Sequence, residues 1–280
     1  MLLTTAVLWG INWPVGKHLL QELPPLSMRG IPGMFGGLLL AVVAVCAGQS
    51  LKVPRDQWAR LLLYAILSVS GWMGLVGLAL VYLGASETAI ISSTIPVWTA
   101  ALAWPVLGER LDLKRLISMA MALTGIVVLM GGNGIATSQS KLPGVALVLL
   151  AAFMFGLSVV LAKRRPLQLP PLTIAVWQIV IGCLIVALAG LVFERPHFSQ
   201  LTPLGWGLIS FVVIGQVCIG FACWFGALAR LPASIAAIGI LLVPVIGVIA
   251  SAISLGEPLG PSQIGALALT VAGVAIASRS

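Results

Sequence analysis

Two amide side chains, Asn12 and Gln216, lie near the middle of long apolar runs of the sequence. Pro14 follows Asn12 and has no backbone N–H, so the carbonyl of Gly10, one turn earlier, loses its helical partner. That carbonyl and the Asn12 amide could together bind an ammonium group or a water molecule. Each amide could instead form a hydrogen bond within its own helix or to a neighbouring helix, and the sequence leaves both interpretations open.

Hydroxyl side chains and prolines mark the fourth apolar run. Ser92 and Ser93 precede Pro96, and Pro244 occupies the equivalent place in the ninth run. Two helices that proline interrupts at corresponding positions are the best sequence indication of a transporter site, and such breaks can act as hinges. The alternatives are hydroxyls that bond to carbonyls of their own helix and prolines that only kink it.

Aromatic side chains add to this set. Trp72 and Trp98 lie well inside their runs, and Tyr82 lies toward the outer end of the third run. Rings at these depths could line a cavity and face an ammonium group, with plain packing as the alternative. The predicted substrate site, in one central cavity, comprises Asn12, Trp72, Tyr82, Ser92, Ser93, Trp98 and Gln216. We expect Pro96 and Pro244 to be its hinges.

The charged residues near the ends of the runs have structural interpretations. Glu87, Glu109 and Glu257 stand at predicted helix starts, where a carboxylate stabilises free N–H groups. Proton coupling through Glu87 is the alternative function. We expect Lys17 and Arg29 to extend to the outer membrane interface, with gating as the alternative.

Enzyme chemistry is not predicted. The middle of the runs holds no Asp, Glu, His or Lys, so an intramembrane enzyme would lack a paired acid and base. The four cysteines show no C-x-x-C spacing, and the two histidines form no cluster with metal-ligand spacing. We therefore expect no catalytic residue, no metal site and no cofactor.

The composition indicates which elements must position these side chains. The chain has 280 residues, of which 60% are hydrophobic and 8% charged, against roughly 25% charged in a soluble domain. The mean hydropathy is +1.14. A soluble enzyme and a disordered chain are excluded, and the outer surface must face a lipid bilayer. The net charge of +8 lies between the apolar runs, so it favours membrane orientation over nucleic-acid binding.

Ten apolar runs are bounded by charged residues, Pro or Gly. Lipid permits only helices or closed barrels, and the runs lack the alternation of barrel strands, so an all-α membrane protein is predicted. The predicted transmembrane helices are 2–20, 28–48, 58–83, 85–107, 112–131, 143–163, 171–193, 203–229, 232–255 and 261–278.

The distribution of Lys and Arg predicts orientation. With the N-terminus inside, 11 of the 15 Lys and Arg residues fall on the cytoplasmic side and 4 outside. The positive-inside rule then places both termini in the cytoplasm. The first twenty residues lack a basic start, and Asn12, Trp13 and Pro14 interrupt their apolar core, so we expect no cleaved signal peptide.

The sequence also repeats itself. Leu23–Leu26 reads Leu-Pro-Pro-Leu and recurs 146 residues later, and Leu107-Gly-Glu-x-Leu recurs 148 residues later at Leu255. One nearly constant offset indicates duplication. Each unit would hold five helices, and because five is odd the second unit would enter the membrane from the opposite side. Such inverted repeats are typical of transporters that alternate access around a central site.

These motifs resemble the EamA-type family of the drug/metabolite transporter superfamily. The resemblance rests on Trp9-Gly-x-Asn12, the lysine five residues later, and the doubled Leu-Pro-Pro-Leu and Leu-Gly-Glu-x-Leu motifs. It implies two EamA units, 1–131 and 143–278, ten helices around a central cavity, and export of metabolites across a bacterial inner membrane. The Trp-rich first half is most similar to the YddG-type amino-acid exporters. The halves differ where Ser158 stands for Asn12 and Ala175 for Arg29.

The predicted function is export of small metabolites, most simply amino acids including aromatic ones, by alternating access. A multidrug, nucleoside or organic-cation exporter of the same superfamily is the alternative, and a membrane-embedded enzyme or scaffold is the alternative from another class. A channel would need a ring of like charges or a carbonyl filter, and neither is visible. Gly33 and Gly37 permit close packing within the bundle or to a second copy, so oligomeric state stays open with a monomer as the working expectation.

Overall fold

The computed structural model describes residues 1–109, 113–131, 139–228, 230 and 242–277. In these ranges the chain forms helices joined by loops, and no strand is present. The helices are α1 (Leu2–Leu19), α2 (Ser27–Cys46), α3 (Arg55–Tyr82), α4 (Ala85–Leu107), α5 (Leu113–Gly131), α6 (Gln139–Arg164), α7 (Pro171–Phe193), α8 (Pro203–Leu228), α9 (Leu242–Leu255) and α10 (Pro261–Ala277). The all-α prediction is confirmed.

Six of these helices, α2, α3, α4, α6, α7 and α8, are long and apolar enough to cross a membrane. The helix α1 has 18 residues, but Asn12, Lys17 and His18 lower its hydropathy. Large apolar side chains face outward from the bundle, including Val192, Phe193 and Ile253, as a lipid environment requires.

The predicted runs and the observed helices agree to within four residues at every end that falls in the described ranges. Residues 232–241 of the ninth predicted run lie outside those ranges.

Three of the long helices are irregular. A π-helical segment runs through α3 at Ile66–Ser70 and through α8 at Phe211–Ile219. In α4 the regular helix Ala85–Ser92 ends before a short turn, and a second helix, Ile95–Leu107, continues it. Pro96 lies at the second position of this second helix, where its missing N–H costs no hydrogen bond. The wide turns of the π-helical segments in α3 and α8 free backbone carbonyls, and such turns frequently occur at functional sites.

Small residues set the closest packing between helices. The helix α2 packs along α7, α5 along α10, α1 along α9, and α4 along α6. A Cβ at Gly30 would lie 2.3 Å from the backbone nitrogen of Ala187, and one at Gly33 would lie 2.6 Å from Cys183 Sγ. A Cβ at Gly37 would meet Ile179 of α7 at 2.8 Å. The G-x-x-x-G pair is therefore used inside the bundle, between α2 and α7.

Candidate functional site

Asn12 is a buried residue of α1 and directly precedes Trp13, which packs in an aromatic cluster. It is only 9% exposed, and its Oδ1 atom accepts no hydrogen bond from the described part of the chain. The ring of the neighbouring Trp13 meets Trp72 of α3 edge to face at 6.4 Å, and Trp72 meets Phe155 of α6 at 5.7 Å. Trp13 can approach α9 because Gly247 has no side chain, and a Cβ there would be 2.6 Å from the ring. A buried amide oxygen without a partner in the described structure thus belongs to the residue directly before Trp13, which joins this edge-to-face aromatic cluster.

Trp98 belongs to a different cluster. Its ring packs edge to face against Phe153 of α6 at 5.6 Å, and its Nε1 atom is buried without a hydrogen-bond acceptor in the described structure. Phe153 and Phe155 are two residues apart on one helix, so their side chains leave it in nearly opposite directions. Trp72 and Trp98 therefore contact different sides of α6.

Gln216 lies in the π-helical segment of α8 and is buried. Its backbone carbonyl accepts a hydrogen bond from Trp9 Nε1 of α1 at 3.1 Å, and the hydroxyl of Thr5 donates to the carbonyl of Gly220 at 3.2 Å. The ring of Trp9 also packs against Phe221 at 5.0 Å. Trp9 and Thr5 of α1 thus donate hydrogen bonds to backbone carbonyls within and directly after the π-helical segment of α8.

The other predicted site residues are two serines bonded within their own helix, an exposed tyrosine and a proline near a helix start. Ser92 Oγ donates to the Thr88 carbonyl and Ser93 Oγ to the Ala89 carbonyl, one turn earlier, which confirms the local alternative for both hydroxyls. Tyr82, the last residue of α3, is 44% exposed. Pro244 lies near the described start of α9. None of the hydrogen bonds or aromatic pairs in the described ranges links two of the seven predicted substrate-site residues to each other.

The expectation that Arg29 extends to the membrane interface was wrong. Its side chain is only 6% exposed and lies among α1, α2 and α3, where a Cβ at Gly16 would be 2.6 Å from Nη2 and one at Gly77 would be 3.2 Å from Cγ. Lys17 also turns inward, because its Nζ donates to the carbonyls of Leu80 and Leu83 at the end of α3. Arg29 thus packs against two glycines and Lys17 against backbone carbonyls of α3, contacts between helices that spacing in the sequence does not reveal.

Three carboxylates each bind the N-terminus of a distant helix, and we call them the carboxylate clamp: Glu22, Glu194 and Glu257. Glu22 accepts from the backbone N–H and hydroxyl of Thr202 at the start of α8, both at 2.7 Å. Glu194 accepts from the N–H groups of Leu26 and Ser27 at the start of α2, both at 2.8 Å. These carboxylates satisfy free N–H groups and complement the positive end of the helix.

Glu257 completes the clamp and corrects a prediction. It accepts from Ala85 N at 2.7 Å, Ser86 N at 2.8 Å and Ser86 Oγ at 2.5 Å, at the start of α4, and not from the start of α10 that follows it. The clamp residues lie just past the ends of α1, α7 and α9, and we call this end of the bundle the clamp end. A sequence signal existed, since each is an isolated acid one or two residues after the end of an apolar run.

Ion pairs occur at both ends of the bundle. At the clamp end Glu87 accepts from Gly84 N at 2.9 Å, which confirms the predicted capping role, and its other oxygen pairs with Lys141 at 2.7 Å. At the opposite end Lys163 pairs with Glu109, and Gln57 accepts from Gln168 N at 2.8 Å. Within the described ranges, no three His, Cys, Asp or Glu side chains are placed to hold a metal ion.

The sequence matches the EamA-like transporter family twice, over residues 1–131 and 142–279. The chain belongs to this family. An EamA-like transporter is a multi-pass membrane protein, in agreement with the apolar helices above. It is 29% identical to a Salmonella typhimurium protein named "Probable amino-acid metabolite efflux pump", over 98% of this chain and 92% of that protein.

A second relative and a solved structure also match most of the chain. The chain is 28% identical to a Bacillus subtilis protein named "Uncharacterized transporter YvbV", over 96% of this chain and 88% of that protein. A solved crystal structure superposes with a TM-score of 0.72 at 21% identity, over 99% of this chain and 94% of the other. The fold is therefore shared with a known structure, and the chain is a membrane transporter.

Proposed function

We propose that the protein exports amino acids, including aromatic ones, across a bacterial inner membrane by alternating access. Ten helices in two inverted units, 1–131 and 143–278, would rock around a site between them. The two matched ranges of the EamA-like family, 1–131 and 142–279, support this division. The π-helical segments support it too, because they occur in the third helix and in the eighth, its counterpart five helices later.

The packing of the helices is consistent with a two-fold relation between the units. Exchanging each helix with the one five places along leaves the pairs α2–α7 and α5–α10 unchanged. The same exchange turns the pair α1–α9 into the pair α6–α4, which also packs closely. An inverted repeat requires such a pattern, and transporters of this design bind their substrate where the two repeats meet.

The observation that carries the substrate class is the buried Oδ1 of Asn12, which has no partner in the described structure, on the residue directly before Trp13 of the Trp13–Trp72 pair. A buried polar atom without a partner is costly and marks a functional site within a membrane protein. An amide oxygen accepts hydrogen bonds from an ammonium group, and aromatic faces attract the same cation. Trp98 Nε1 offers a second buried group, a donor, within a separate aromatic cluster.

Orientation and assembly form part of the proposal. The positive-inside rule favours cytoplasmic termini. The G-x-x-x-G pair of α2 is already occupied by α7, which supports a protein that works as a monomer with a small-molecule substrate. The relative named an amino-acid metabolite efflux pump supports the substrate class.

Purified protein in liposomes tests the proposal. We expect uptake of several amino acids, with aromatic ones included, and a reduction across all of them in Asn12→Ala and Gln216→Ala. Trp72→Ala, Tyr82→Ala and Trp98→Ala should change which side chains are preferred. Gln178→Ala is the control, because Gln178 is a structural amide that accepts from Ser68 Oγ at 3.3 Å.

The same panel decides between substrate classes. Nucleosides and organic cations are included, since an aromatic site that recognises ammonium groups would also suit cations. Transport of organic cations without amino acids would replace the substrate class and keep the transporter. Wild-type rates in both amide variants would contradict the amide-centred site.

A further inference from the structure

Arg29 is a buried cation, two of whose guanidinium nitrogens have no hydrogen-bond partner in the described part of the chain. Its side chain is 6% exposed, and neither Nε nor Nη2 donates a hydrogen bond to any group in the described structure. Neighbouring cations behave differently, since Lys17 donates to two carbonyls and Lys141 pairs with Glu87. A buried charge is retained only with a compensating partner, so the guanidinium requires one during the working cycle.

None of the acidic residues that the structure describes at the clamp end is free to be that partner. Glu22 is bound to Thr202, Glu194 to the start of α2, Glu257 to the start of α4, and Glu87 to Lys141 and Gly84 N. Each of these carboxylates has its own N–H or ammonium donor. Among the described residues no carboxylate at this end remains for Arg29, which points to an anion from outside the protein.

The position of Arg29 relates it to Asn12. Arg29 Nη2 adjoins Gly16, where a Cβ would be only 2.6 Å away. Gly16 and Asn12 are four residues apart in α1, so they share one face of the helix and are separated by about 6 Å along its axis. Nη2 of Arg29 thus lies beside Gly16, about one helical turn along α1 from Asn12, whose Oδ1 is also without a partner in the described structure.

We propose that Arg29 binds the carboxylate of the transported amino acid while Asn12 Oδ1 receives its ammonium group. The proposal deepens the function given above and rests on it. Guanidinium N–H donors match the two oxygens of a carboxylate, and such bidentate pairs are strong and directional. The two groups of an α-amino acid lie close together, which fits a donor pair and an acceptor on adjacent turns. The side chain of the amino acid then extends toward Trp72.

Three probes that differ only in charged groups test this assignment. Phenylalanine carries both groups, phenylalaninamide lacks the carboxylate, and N-acetylphenylalanine lacks the ammonium. The variants are Arg29→Met, Arg29→Lys, and Lys17→Met as the matched control, because Lys17 is a nearby cation committed to the Leu80 and Leu83 carbonyls. Uptake into liposomes and the rise in melting temperature of the purified protein are measured for each combination.

In Arg29→Met we expect the ratio of phenylalanine uptake to phenylalaninamide uptake to fall at least ten-fold. We also expect that the two carboxylate probes, phenylalanine and N-acetylphenylalanine, no longer raise the melting temperature of this variant. Arg29→Lys should recover part of both, since it keeps the charge without the bidentate geometry. Lys17→Met should slow the two uptakes by the same factor. A merely structural role for Arg29 would likewise change both uptakes equally.

The outcomes separate this inference from the proposed function. If wild-type protein transports phenylalanine and Arg29→Met keeps the wild-type ratio, the carboxylate site is wrong and amino-acid export stands. If no carboxylate probe stabilises the wild-type protein, the carboxylate site is wrong whatever the uptake shows. If carboxylate probes stabilise the wild-type protein in an Arg29-dependent manner but no probe is transported, the site stands and the proposed export of amino acids fails.

Discussion

Replacing Glu257 by Gln should open the clamp end of the bundle. The carboxylate now accepts three hydrogen bonds from the start of α4, and the amide would keep one acceptor and lose the charge. A hydrogen bond to a charged group contributes about 1.5–3 kcal/mol, against about 0.5–1.5 kcal/mol for a neutral one. A charge at a helix terminus adds about 0.3–1 kcal/mol. Because these contributions do not add fully, we expect a loss of at least about 2 kcal/mol, which is a shift of at least ~30-fold toward the open clamp end.

A distance measurement between spin labels reports this shift. The labels are placed at Val81→Cys on α3 and Ile253→Cys on α9, which are 51% and 82% exposed, in a background without the four native cysteines. We expect the Glu257→Gln protein to show a longer inter-label distance in a larger fraction of molecules. The fraction gives the equilibrium constant directly.

Variants of two further carboxylates are compared with Glu257→Gln in the same distance measurement. Glu22→Gln should shift the equilibrium less, because the bonds of Glu22 to Thr202 are exposed to solvent and those of Glu257 are partly buried. Glu109→Gln, at the opposite end, should not lengthen the distance. An unchanged distance distribution in Glu257→Gln would refute the idea that the clamp holds this end closed.

Three other expectations can be checked independently. Pro96→Ala and Pro244→Ala should each slow uptake into liposomes more than they lower folded yield, and unchanged uptake in the double variant would exclude a hinge. Gly30→Ala should destabilise the protein by about 1–3 kcal/mol through overpacking against Ala187. Gly207→Ala places its new Cβ with no atom within 4 Å, so it should stabilise the protein by up to ~1 kcal/mol. Equal melting temperatures of the Gly30→Ala and Gly207→Ala proteins would contradict both expectations. A cysteine at Arg165 should resist an impermeant thiol reagent added to intact cells, and labelling would overturn the cytoplasmic assignment.

The helices were predictable from the sequence because lipid imposes one strong rule. A spanning segment must be apolar and must satisfy its backbone internally, so run lengths alone placed the described helix ends within four residues. The roles of Ser92, Ser93 and Glu87 were also predictable, since each depends on atoms three or four residues away. Local geometry in a helix is fixed by spacing.

Contacts between distant segments were not predictable in the same way. Glu194 and Glu257 bind N–H groups about 170 residues earlier in the chain, and no periodicity of the sequence encodes such a partner. Arg29 was assigned to the interface because cations near helix ends usually extend there. What buries it is the pair Gly16 and Gly77 on two other helices, and only the packing of α1, α2 and α3 brings them to one place.

The carboxylate clamp and the proposed Arg29 site give a physical route from substrate binding to movement. A ligand shifts a conformational equilibrium only as far as its affinities for the two conformations differ. In the present arrangement the Arg29 guanidinium lies against Gly16 with its Nε and Nη2 atoms buried, so a carboxylate can reach these two atoms only after α1 and α2 separate locally. Pairing therefore favours the separated arrangement. The carboxylate clamp opposes this separation. Glu22, which follows α1, is hydrogen-bonded to the start of α8, and Glu194, which follows α7, is hydrogen-bonded to the start of α2. Transport then depends on clamp bonds weak enough for one guanidinium–carboxylate pair to overcome.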